Sequence, residues 1–79
     1  MFKPKTKIVA VEGQEVTLRQ LTVGEANEMT EASDMAVVVA LSWVSPDGVT
    51  ADQVRAWPLT VVNALYEACV ELNGLDQGN

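Results

Sequence analysis

The chain has 79 residues, 48% of them hydrophobic and 20% charged, with five basic side chains against eleven acidic ones for a formal charge of −6. That balance belongs to a globular domain and not to a disordered segment, while the negative charge repels phosphate backbones and anionic lipid surfaces, which argues against nucleic acid or membrane as a partner. One cysteine, Cys69, and no histidine leave no means of forming an internal disulfide, a histidine metal site, or a Ser–His or Cys–His nucleophile pair.

This length suits a single domain over residues 1–79. A lone core of this size supplies only roughly 3–5 kcal/mol of net stability, so self-association is expected to help. The start, Met1-Phe2-Lys3-Pro4-Lys5-Thr6-Lys7, is basic but leads into an alternating segment containing Glu12, without the apolar core of a signal peptide. Met35 to Leu41 is the longest apolar stretch, far below the ~20 residues that cross a bilayer. A soluble, cytoplasmic protein is expected.

Lys7 to Val11 and Glu15 to Arg19 are β-rich runs separated by Glu12-Gly13-Gln14, where glycine supplies the positive φ that a hairpin needs. The spacing predicts a hairpin over 6–20 with Val16, Leu18 and Gln20 on one face and Thr17 and Arg19 on the other. The region 22–75 reads as helical. Thr22 and Glu25 have capping-box spacing and open a helix with a narrow stripe of Val23, Ala26, Met29 and either Ala32 or Thr30, expected to end near Ser33. Asp34 then caps Met35 to Val44, apolar nearly all round; its Val37-Val38-Val39 triplet also suits a strand, but the alanines and the cap favour a buried helix.

Ser45-Pro46-Asp47-Gly48 is turn chemistry. Thr50 and Gln53 form a second capping box, opening a short helix through Ala56 that must stop at Trp57, because Pro58 disfavours the α region before it. Pro58 suits the first position of the next helix, whose Val61, Val62, Leu65, Ala68, Cys69 and Leu72 recur at helical spacing until Asn73-Gly74 caps it; a frayed tail follows at 76–79. The fold class is therefore α+β, a short N-terminal β-hairpin followed by a compact bundle of three to four helices.

Cys69 sits on the apolar stripe of the last helix and reads as core, since a reactive thiolate needs an exposed, electropositive setting. Glu25, Glu28 and Glu31 lack the spaced oxygens and glycine of a calcium loop and read as a solvated face. The glycines are scattered, so no phosphate cradle exists. Neither catalytic residues, cofactor-binding residues nor metal ligands are assigned, and no enzymatic activity is expected. What remains is apolar surface. Trp43, Trp57, Tyr66 and Val70 are the candidate partner-binding residues, because large amphipathic side chains are enriched at interfaces; core packing is the alternative reading of the three aromatic residues.

The run Leu18-Arg19-Gln20-Leu21-Thr22-Val23-Gly24-Glu25, then Ala51-Asp52-Gln53-Val54-Arg55-Ala56-Trp57-Pro58, then Val70-Glu71-Leu72-Asn73-Gly74-Leu75 resembles the small tail assembly chaperones of long-tailed bacteriophages over most of the chain. The resemblance implies a protein that escorts the hydrophobic tape measure protein, delivers tail tube subunits, works in the host cell cytoplasm and is absent from the mature virion. Many members also occur as a longer, frameshifted form. Two further classes compete with this reading: a structural tail or head-to-tail connector subunit, and a small acidic inhibitor of a host enzyme. The even spread of acids along the chain argues against the inhibitor.

Overall fold

In the computed structural model, which describes residues 2–29 and 34–74, the N-terminal runs pair as an antiparallel hairpin of β1 (Thr6–Val11) and β2 (Gln14–Arg19). Val11 opposes Gln14, so the loop is only Glu12-Gly13, and both residues have positive φ, 52° and 80°. That is the type I′ geometry whose twist matches the flanking strands. Val16 and Leu18 are buried while Thr17 and Arg19 are half-buried, the alternation that the sequence predicts.

Four helices follow among the described residues: α1 (Val23–Glu28), α2 (Met35–Ser42), α3 (Ala51–Arg55) and α4 (Leu59–Asn73). Three begin as expected. Thr22 with Glu25 and Thr50 with Gln53 form reciprocal capping boxes, and the Asp34 carboxylate accepts from the Val37 N–H. The last differs by one residue, with Pro58 standing just before the first helical turn. Gly74 ends α4 at φ 69°, the left-handed cap.

Two expectations need correction. Helix α1 stops at Glu28 with Met29 extended, and it buries nothing; Val23 is 77% exposed, so the Val23, Ala26, Met29 stripe faces no core. The expected end near Ser33, with Ala32, lies outside the described residues, as does the tail at 76–79. Second, the apolar run does not stay helical to Val44. It leaves the helix at Trp43, and Trp43–Ser45 forms β3, which pairs antiparallel with β2 and places a strand inside the region expected to be all helix. Both properties of that run are therefore used: the alanine-flanked part coils, and the part after Ser42 pairs with a strand edge that the hairpin leaves open.

The sheet order is β1-β2-β3. Helix α4 packs on β1, β2 and α2, and α3 packs on α2, so the core lies between one sheet face and the α2–α4 pair. Leu18, Val39, Val54, Leu65 and Cys69 are its fully buried side chains, with Ser42 the buried polar one. Polar latches close one end: Gln20 Nε2 donates to the Leu72 carbonyl at 2.8 Å, and Asn73 Oδ1 accepts from the Leu21 N–H at 2.9 Å. They tie the β2–α1 junction to the last turn of α4.

Candidate functional site

Trp43 opens β3 opposite Leu18, so its ring falls on the core side of the sheet. Trp57 sits where α3 ends and Pro58 forbids its continuation, so the chain turns and the indole is left at the corner of α3 and α4. The two rings meet with centroids 5.4 Å apart and planes tilted by 52°, an arrangement that aromatic quadrupoles favour over face-to-face stacking. Both are half-buried. The Trp43 indole N–H is spent locally on the carbonyls of Pro46 and Asp47, so what this ring offers a ligand is hydrocarbon.

Around the pair lie two depressions. One, of about 350 Å³, is walled by Trp43, Trp57, Val11, Val16, Val61 and Leu65, with Glu12 at its rim. The other, of about 290 Å³, is lined by Trp57, Met35, Val54, Leu59 and Val62 and carries Asp34 and Arg55. Trp57 lines both and stands between them. Leu59 is 65% exposed, adding apolar surface beside the second. Arg55 holds Asp34 at 3.1 Å and Asp52 at 2.8 Å; the Arg55 hydrogen bond and the Val37 N–H keep the Asp34 carboxyl below its ordinary range. Arg55 is thus shared between two carboxylates, which leaves this border one negative charge in excess, and Glu12 gives the larger groove an acidic side chain as well.

Tyr66 and Val70 do not join the tryptophans. They share a third, shallow depression of about 210 Å³ on α4 with Glu67 and Glu71. The sequence-predicted residues thus fall into two pairs, Trp43 with Trp57 and Tyr66 with Val70. Sequence reasoning missed Val11, Val61 and Leu59 as wall residues. Val61 and Leu65 share one face of α4 at i and i+4, but Trp57 lies outside that helix, so their meeting with it depends on the turn at Pro58 and not on helical spacing.

Chemically the groove presents mainly hydrocarbon, from its valines, leucine and tryptophans. Among the described residues no three His, Cys, Asp or Glu side chains gather to hold a metal ion. Cys69 is fully buried and away from the groove lining; burial pushes its thiol up, with the neighbouring Ser42 hydroxyl opposing weakly. No helix among the described residues is long and apolar enough to cross a membrane. Compared with models of known protein families, with curated proteins and with solved structures, the chain matches none of them.

Proposed function

We propose that this chain is a non-catalytic binding domain whose groove beside Trp43 and Trp57 receives an apolar helical segment, and that it serves as a tail assembly chaperone holding the tape measure protein of a long-tailed phage. The observation that carries the binding role is the tilted tryptophan pair, half-exposed at the wall of an apolar groove of about 350 Å³. Rigid aromatic anchors beside a pocket are where binding energy concentrates, and a groove walled by valine, leucine and tryptophan fits the alternating i, i+3, i+4 anchors of an amphipathic helix. Glu12 at the rim favours a basic flank on that helix. The identity of the partner rests on the sequence resemblance, which also brings delivery of tail tube subunits, action in the host cytoplasm and absence from the virion into the proposal.

Co-expression with the tape measure protein tests it. The chain is expected to keep that protein soluble, and Trp57→Ala is expected to weaken binding by about 2 kcal/mol or more, roughly 30-fold. A tape measure protein equally insoluble with and without this chain would refute the chaperone role. Mass spectrometry of purified virions separates it from a connector subunit, which must be present in stoichiometric amounts.

A further inference from the structure

The sheet has two edges, and they are treated differently. The β3 edge is three residues long, carries a register shift opposite Thr17 and Leu18, and runs at once into Pro46; short length, a bulge and a proline are the ways an edge is blunted. The β1 edge has six residues, an unbroken register with β2 and no proline between Thr6 and Val11.

The hydrogen-bond phase of β1 follows from its two ends. Val11 and Gln14 flank a two-residue turn, and the Lys5 carbonyl accepts from the Gln20 N–H at 2.9 Å. In an antiparallel ladder alternate residues face the partner strand, so Lys5, Lys7, Val9 and Val11 bond to β2. Thr6, Ile8 and Ala10 then point their N–H and C=O groups away from the sheet. Ile8 is also 64% exposed, an apolar side chain at the middle of the open edge.

Charge along this edge is segregated. Lys3 and Lys5 lie at its start, followed by Lys7, which is already paired with Glu71 of α4 at 2.6 Å, while Glu12 and Glu15 lie at the hairpin tip. A second copy laid parallel would set lysine against lysine; laid antiparallel, it sets the lysine end of each copy beside the acidic tip of the other. We propose that β1 is a self-association edge, on which a second copy of this chain pairs its own β1 antiparallel about a two-fold axis, Ile8 opposite Ile8 and Thr6 opposite Ala10. The register follows, because only outward-facing residues can exchange bonds, and centring on Ile8 uses all three from each copy. The result is one continuous six-stranded sheet, in which the hairpin tip with Val11 and Glu12, the border of the tryptophan groove, lies beside the lysines of the other copy.

Sedimentation of the full chain over a concentration series, with Ile8→Pro as the variant, tests this. The Ile8 N–H faces away from β2, so proline removes an outward donor and leaves the intramolecular ladder intact. The wild-type chain is expected to dimerise with rising concentration, and Ile8→Pro to weaken dimerisation by about tenfold or more with an unchanged circular-dichroism spectrum. Hydrogen exchange on the wild-type chain provides a second reading that needs no variant: the Thr6, Ile8 and Ala10 amides are expected to gain protection as concentration rises. A wild-type chain that stays monomeric at millimolar concentration, equal association of a folded Ile8→Pro chain, or concentration-independent exchange at those amides would overturn the proposal. Ile8 does not line the groove, so binding of an apolar segment by the Ile8→Pro chain is read independently of its self-association.

Discussion

Position 42 carries a serine in the middle of the core, 0% exposed, and its hydroxyl finds no nitrogen or oxygen partner among the described residues. Its neighbour is the Cys69 thiol, and sulfur is a weak acceptor. A buried hydroxyl without a good partner costs roughly 1–3 kcal/mol of desolvation, so Ser42→Ala is expected to stabilise the fold by about 1 kcal/mol. Urea denaturation checks this through a rise in the midpoint at constant slope. Trp43 shows the opposite treatment of a polar atom, since its indole N–H is satisfied within its own loop by the Pro46 and Asp47 carbonyls. The ring can therefore face a groove without an unmet donor in it.

Between elements, the clearest electrostatic tie is Arg19 of β2 to Glu25 of α1, a two-pronged pair with contacts of 2.9 and 2.6 Å. The Arg19 hydrogen bonds, and then the Thr22 N–H, hold the Glu25 carboxyl at about 2 against an ordinary 4.5. Because the folded value is the lower one, the pair stabilises the fold above the ordinary value and loses that contribution as pH falls towards about 2. About a quarter of each side chain faces solvent, which limits the contribution to on the order of 1 kcal/mol. Arg19→Met is expected to lower stability at neutral pH and to flatten the loss between those two pH values, as measured by denaturation at each pH. This pair also explains how α1, which buries no residue, is held to the sheet.

Helix starts were legible in the sequence because caps are local: Thr22, Asp34 and Thr50 each bond within three residues of themselves. The hairpin was legible for the same reason, through Gly13 and the alternation of Val16 and Leu18. The third strand was not. Nothing within Trp43-Val44-Ser45 breaks a helix, and its pairing is decided by Thr17 and Leu18, more than twenty residues earlier in the chain. Likewise the α1 stripe of Val23, Ala26 and Met29 has helical spacing but does not pack on the core of the described residues. The candidate site was half legible. Aromatic size singled out Trp43 and Trp57, while their meeting depends on the β3 pairing that local reasoning does not reach.

For the molecule as a whole, a radius of gyration of 12.1 Å is close to the roughly 12 Å expected of a well-packed chain of this length. The exposed Ile8, Val44 and Leu59 therefore do not arise from loose packing; they are the surplus of a small core with more apolar residues than interior. That core is thin. Leu65 is 1% exposed, at the centre of α4 and in the wall of the groove, and Leu65→Ala is expected to cost about 2–5 kcal/mol. Against a net stability of roughly 3–5 kcal/mol, the loss should leave the isolated chain largely unfolded, with a collapsed thermal transition in calorimetry.

The surplus gives the molecule two surfaces, the groove at the tryptophan corner and the open edge of β1, which adjoin at Val11. The groove bears the central claim. The most direct measurement is an NMR titration of the labelled chain with an apolar, helix-forming segment of the tape measure protein. Saturable shifts centred on the Trp43 and Trp57 indoles, Val11 and Val61 are the expected result. No binding, or shifts confined to the Tyr66 and Val70 depression while the two indoles stay unmoved, would contradict it.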